Sequence, residues 1–329
     1  MTLPLFFLPA ISDHHYHSEA IMEYKQLRYI TTIAETGSFT EAANILYVSQ
    51  PSLSHMVSQV EKQLGVQLFN RSTSPLTLTY AGEIFIRYAE EVLFATNKME
   101  HQIRDIAQGK KGLIRIGIPY ERSAYILPKI IPDFHREYPE IRIELADASG
   151  SQLLTLLDRG KTDFAVMPVY EHSAEGFEYQ RIYTEPLLLS ASAGMICSDD
   201  LTAPGSDTVS VDRLQNKPFV LQNEKKAIRP VIDHLLEAHR IHPHISQIVS
   251  GNTSAYGLSK AGLGIAIIPE VTILLNGSDD SSQFYRMAGL APTCWDICAV
   301  YRKNTYLGSI EKRLIDMIGE ACHDHTKMS

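Results

Sequence analysis

The sequence predicts an α/β protein in two parts: an N-terminal winged helix-turn-helix with a long linker helix, followed by a C-terminal two-lobed α/β domain. Three observations predict it. Tightly capped helical periodicity fills residues 22–64, a proline-free helical stretch runs from Tyr80 to Gln108, and beyond Gly112 short β-rich runs alternate with helices. A length of 329 residues matches roughly two domains at about 150 residues each. With 44% hydrophobic residues, 21% charged residues and a mean hydropathy of -0.10, the chain is neither disordered nor built as a membrane protein. Four cysteines exclude a disulfide scaffold and fit a reduced, cytoplasmic compartment.

The first helix opens near Met22, carries Leu27, Ile30, Ile33 and Ala34 at helical spacing, and stops at Gly37. Ser38 and Glu41 have capping-box spacing, so a second short helix with Ala42, Ala43, Ile45 and Leu46 follows. Ser49 caps a third helix with Pro51 in its first turn, ending at Gly65. Its Leu53, Val57, Val60 and Leu64 form the expected buried stripe. The other face carries Gln50, Ser54, His55, Ser58 and Lys62. Three short helices with a tight turn make a helix-turn-helix, whose third helix is the element that enters a DNA major groove. Two short strands around Ser72–Pro75 form the wing.

The long helix starts after a Thr79 cap. Phe85, Tyr88, Val92, Ala95, Met99, Gln102 and Ile106 recur at steps of three and four, the spacing of a self-pairing coiled-coil seam. Packing of this helix on its own domain is the alternative. Strands are expected at Leu113–Ile118, Ile141–Leu145, Phe164–Met167, Leu187–Leu189, Phe219–Leu221 and Ile265–Ile268, with helices over Tyr125–Glu137, Ser151–Arg159 and Arg229–Ala238.

The residues also carry a family resemblance. Leu27-Arg-Tyr-Ile30, Gly37-Ser-Phe-Thr-Glu-Ala-Ala43, Val48-Ser-Gln-Pro-Ser-Leu-Ser54, Val60-Glu-Lys-Gln-Leu-Gly-Val-Gln-Leu-Phe69, Arg71 and Leu78-Thr-Tyr-Ala-Gly82 resemble the amino-terminal domain of LysR-type transcriptional regulators. Ile114-Arg-Ile-Gly117, Leu157-Asp-Arg-Gly-Lys-Thr-Asp163 and Ala261-Gly-Leu-Gly-Ile-Ala-Ile-Ile-Pro269 are similar to the family's effector domain. The resemblance implies a periplasmic-binding-protein-like effector domain that senses a small molecule. It also implies double-stranded operator DNA as partner, a homodimer or homotetramer, contact with RNA polymerase, no membrane, no cofactor and no enzymatic activity. On this reading residues 1–21 are a disordered leader or start-site extension, 22–79 the DNA-binding domain, 80–109 the dimerising linker and 112–329 the effector-binding domain. Lobe I would take about 112–185 and 265–329, lobe II about 186–264.

By the same resemblance Gln50, Ser54 and His55 contact bases, Arg71 on the wing contacts phosphate, and Ser38, Ser52 and Ser58 complete the DNA-binding set. Gln bonds adenine in bidentate fashion, and helix amides attract phosphate. His55 stands where the family mostly has Arg, and Ala42–Val60 holds no charged residue. Weaker half-site affinity and a gentler salt dependence are therefore expected, with tightness recovered by binding two half-sites. The whole-chain charge of -8 does not oppose DNA binding. From Met22 to Lys111 the cations Lys25, Arg28, Lys62, Arg71, Arg87, Lys98, Arg104, Lys110 and Lys111 equal the acids in number, so the excess lies outside the reader.

The resemblance also places Tyr120, Ser123, Ser149, Ser151, Gln222, Asn223, Asn252 and Thr253 around the effector cleft. Helix amino ends with hydroxyls favour an anionic effector group, a carboxylate; Arg122 would add charge there or face solvent. Other signals are set aside. Asp13-His-His-Tyr-His17 lies in the leader; His234, His239, His242 and His244 lack zinc-ligand spacing and are expected at the surface. The cysteines are expected to be buried thiols, Gly262 and Gly264 form a turn, and no catalytic motif occurs. The alternative reading is a solute-binding type of small-molecule binding protein without DNA function, which leaves residues 22–109 unexplained.

Overall fold

A computed structural model describes residues 22–73, 75–106, 111–170, 174–278, 281–289, 293–303 and 305–323; the histidine tract Asp13–His17 lies outside them. The chain divides into two compact units after Leu93. In the first, α1 (Tyr24–Thr36), α2 (Phe39–Leu46) and α3 (Gln50–Leu64) pack around Ile30, Ile33, Ala42, Leu53, Val57 and Val60. The alanines let α2 approach its neighbours closely, and Gly37 and Gly65 end α1 and α3 in the left-handed conformation. The expected capping box on α2 forms only by half: Ser38 accepts from the Glu41 amide at 3.3 Å, while its own amide donates to Thr36 Oγ1. Leu64 is 42% exposed, contrary to the expected stripe. It sits in the last turn, where the helix has run past the core.

Strands β1 (Phe69–Asn70) and β2 (Thr77–Leu78) pair antiparallel as the wing, and α4 (Tyr80–Ile106) follows. Thr79 caps α4 through Oγ1, which accepts from the Gly82 amide at 3.0 Å. Gly82 lies so close to the Leu68 carbonyl that a Cβ there would stand 2.1 Å from its oxygen, so only glycine lets the helix start against the wing. Tyr88, Val92, Met99 and Ile103 are exposed along α4, whereas Phe85 turns partly into the core of the first unit. The side chains of Gln102 and Ile106 lie outside the described residues.

In the second unit, Phe94 of α4 packs against Gly160, whose φ of +64° and lack of room for a Cβ both require glycine, and lies under the Arg302 guanidinium. The chain then runs through β3 (Lys111–Gly117), α5 (Tyr120–Glu137), β4 (Glu140–Ala146), α6 (Gly150–Asp158), β5 (Phe164–Val169), β6 (Phe177–Ser192), β7 (Thr208–Ser210), β8 (Pro218–Gln222) and α7 (Ile228–Ala238). After these come β9 (His244–Val249), α8 (Asn252–Lys260), β10 (Ala266–Pro269), α9 (Glu270–Asn276), β11 (Ser282–Ala288), β12 (Cys294–Arg302) and α10 (Ser309–His323). The strand order is β4-β3-β5-β12-β6-β11-β7, with β10 beside β6 and a separate parallel pair β8-β9.

Strand β6 runs through both lobes. Phe177–Pro186 pairs with β12, and Leu187–Ser192 pairs with β10 and β11. Both β10 and β11 hydrogen-bond to the second half of β6, whereas the sequence expectation groups 265–329 with 112–185. Only Leu187–Leu189 of this strand was expected. Its start, Phe177–Gln180, alternates apolar and polar residues as a half-exposed strand does, and the alternation breaks at Arg181–Tyr183, where the register against β12 shifts.

Candidate DNA-reading face and effector cleft

Helix α3 presents Gln50, Ser52, His55 and Ser58 to solvent, with Ser54 half-buried. Ser38 is half-buried and engaged in capping α2. The Ser49 hydroxyl accepts from the Ser52 amide at 3.3 Å and lies 2.7 Å from the Ser52 hydroxyl, so that amide is not free for phosphate as expected. Gln50, Ser54 and Ser58 recur every four residues and share one face. Tyr47 ends α2 in the left-handed conformation at φ 54° and is 95% exposed. No sequence signal had singled it out, since the conformation is unusual for a residue with a side chain.

Arg71 on the wing donates from Nη2 to Ser58 Oγ and to Glu61 Oε2, both at 3.0 Å, with its guanidinium over the Phe39 ring. Glu61 is buried, and its other oxygen accepts from the amides of Leu68 and Phe69. One carboxylate therefore fixes the wing to α3 and offsets part of the Arg71 charge. The arginine side chain stays 42% exposed.

In the second unit the expected cleft residues take distinct roles. Tyr120 is exposed in the first turn of α5. The Ser123 hydroxyl donates to the Tyr120 carbonyl, and the Ser149 amide donates to Gln152 Oε1 at the start of α6. Ser151 is exposed beside it. Asn223 Oδ1 accepts from the Lys225 amide. Gln222 is fully buried; its Nε2 donates to Asn252 Oδ1 and to the Ile267 carbonyl, both at 3.1 Å. Asn252 and Thr253 do not offer a vacant helix end. Glu121 of α5 fills it, accepting from Asn252 Nδ2 (3.0 Å), the Thr253 amide and hydroxyl (2.9 Å each) and the Thr272 hydroxyl (3.1 Å).

Arg122 neither adds charge to the cleft nor faces solvent. It is buried, its Nη2 donates to Glu185 Oε2 at 2.8 Å, and its Nη1 contacts the Tyr183 hydroxyl. Glu185 also accepts from Trp295 Nε1 (2.6 Å) and the Val271 amide (3.1 Å). Burial pulls the guanidinium toward deprotonation, but the charge of Glu185, aided by Tyr183, outweighs it and raises the arginine pKa. His234, His242 and His244 are exposed as expected, whereas the side chain of His239 is covered, its Nδ1 2.6 Å from Asp212. Among the described residues no cluster of three or more His, Cys, Asp or Glu could hold a metal, and no helix is long and apolar enough to cross a membrane. Burial pushes the thiols of Cys298 and Cys322 up to about 11, whereas Cys197 is exposed, against expectation, with its Sγ 3.1 Å from Asp200.

A winged reading head, a long helix and a two-lobed α/β domain define a DNA-binding transcriptional regulator with an effector-binding domain. Residues 24–83 match the bacterial regulatory helix-turn-helix protein, lysR family, and residues 107–323 match the LysR substrate binding domain. The chain belongs to the LysR family. It is 26% identical over 299 residues to the HTH-type transcriptional regulator ClcR of Pseudomonas putida, covering 90% of this chain and 98% of that one. It is 28% identical over 251 residues to the nitrogen assimilation regulatory protein nac of Escherichia coli, covering 76% and 79%. Among solved structures, full-length OxyR C199D from Pseudomonas aeruginosa shares the fold at a TM-score of 0.68 and 22% identity, over 91% of this chain and 94% of that one. CbnR complexed with its target DNA does so at 0.61 and 24%, over 91% and 100%.

Proposed function

We propose that this regulator reads an inverted repeat as a dimer or tetramer, and that an effector held between its lobes changes how the dimers bend DNA or meet RNA polymerase. The carrying observation is the polar, uncharged face of Gln50, Ser54, His55 and Ser58 on a capped α3, with Arg71 beside it on the wing. Gln50 and His55 supply base-edge donors and acceptors, and Ser54 adapts to either, while the Ser58 hydroxyl donates to the Ser54 carbonyl and accepts from Arg71, which it steadies beside the face. Tyr88, Val92, Ala95 and Met99 supply an exposed seam for a second copy of α4. Two linked heads then multiply the affinity that each lacks in charge. The site of action is the cytoplasm, with the DNA. An anionic group of the effector has the amino end of α6 at Gly150 and Ser151 to meet, because Glu121 occupies the other helix end.

A gel shift with DNA from the region upstream of the protein's own gene tests the reading. A shift that weakens on substituting Gln50 by Ala supports it. Failure of the wild-type protein to shift that DNA, with and without candidate metabolites, would overturn it.

A further inference from the structure

The amino end of α8 is occupied by a carboxylate that the chain itself supplies. Glu121 belongs to α5 of the first lobe, and its four donors, on Asn252, Thr253 and Thr272, belong to α8 and α9 beyond it. Two donors meet each oxygen, which fills the lone pairs of an ionised carboxylate. The hydrogen-bond directions continue inward without ambiguity. The Ile267 carbonyl can only accept, so it fixes Gln222 Nε2 toward itself, and Nε2 also donates to Asn252 Oδ1. Asn252 Nδ2 then faces Glu121. At the end of this chain Gln222 Oε1 has no hydrogen-bond partner, although the residue is fully buried. A buried acceptor without a donor carries an unrecovered desolvation cost.

We propose that Glu121 is the resident anion of the cleft: it excludes an external carboxylate from α8 and leaves Gln222 Oε1 to accept from an N–H or O–H of the effector. The proposal rests on the cleft being the effector site, and it narrows the ligand. Whatever acidic group the effector carries is directed to the first lobe, and the group facing Gln222 is an amide, amine or hydroxyl. Nothing in the sequence announced this, since a glutamate in the first turn of a helix reads as an ordinary complement to the helix dipole.

Chemical rescue tests it on the full chain, with sodium acetate as the carboxylate probe and acetamide as the donor probe. Glu121→Ala is expected to lower Tm by roughly 5 °C, and acetate is expected to restore at least half of that loss while leaving wild type and the volume-matched Glu121→Gln unmoved. In ligand-observed saturation-transfer NMR, wild type is expected to contact acetamide and not acetate, and Glu121→Ala to contact acetate. Acetate contact with wild type equal to that with Glu121→Ala, absence of rescue, or absence of acetamide contact with wild type each overturn the proposal. A gel shift on the same samples reports the DNA reading separately, so loss of rescue with DNA binding intact sinks the resident anion alone.

Discussion

Arg122→Met tests whether the buried ion pair holds the sensing unit together. The arginine and Glu185 side chains are 4% and 2% exposed, so removing the cation leaves a carboxylate charge in the interior. Breaking a buried pair in this way costs about 3–5 kcal/mol. Two features set the lower end as the expectation. Glu185 keeps the Trp295 indole and the Val271 amide as donors, and Arg122 Nε has no hydrogen-bond partner, so part of the cation's own desolvation is recovered when it is removed. A loss of about 3 kcal/mol in a unit of this size lowers Tm by roughly 6–12 °C. Calorimetry of the full chain reads it, as a downshift of the transition that belongs to the second unit. Adding Glu185→Gln removes the stranded charge while keeping an acceptor, and is expected to recover about 1–2 kcal/mol. A single-variant loss under about 1 kcal/mol, or a double variant less stable than the single one, refutes the reasoning.

His55→Arg adds a permanent cation to the stretch Ala42–Val60, which holds no Asp, Glu, Lys or Arg. It is expected to tighten operator binding and steepen the slope of log K against log salt by about one for each half-site occupied, so about two for a dimer on both; an unchanged slope in a salt series contradicts the account. Val92→Glu places a charge in the exposed stripe of α4, and sedimentation is expected to show dissociation to monomer; an unaltered oligomer rules out the seam. Asp200 is held below the usual carboxylate range: burial opposes this, but Lys217 Nζ at 2.6 Å and the Cys197 amide at 2.8 Å win. A lowered folded pKa means that its contribution is complete above the unfolded value of about 3.9 and is lost as pH falls through the folded one. The stability gap between wild type and Asp200→Asn in urea is therefore expected to close as pH falls below about 4; a gap independent of pH contradicts this.

The reading head was largely legible in the sequence because its signals are local. Ser49, Pro51 and Gly65 bracket α3 within one stretch of chain, and Thr79 marks the start of α4. The cleft was legible only as a set of helix ends. Glu121 and Thr253 are 132 positions apart and Glu185 and Trp295 110 apart, and no periodicity links residues across such distances. The pairing of β10 and β11 with the second half of β6 was not legible for a related reason: the paired residues are far apart in the chain, and no local signal joins them.

That strand gives the sensor its mechanics. Residues Phe177–Ser192 pass from one lobe to the other without a loop, so the lobes cannot swing as bodies on a slack tether. Any widening of the gap between them has to be taken up as torsion of a hydrogen-bonded ribbon, and its one interruption against β12 is the register shift between Ile297 and Cys298. Such a ribbon twists as one piece, and its irregular step, opposite Arg181–Tyr183, adds local twist on the first-lobe side of the crossing at Pro186–Leu187.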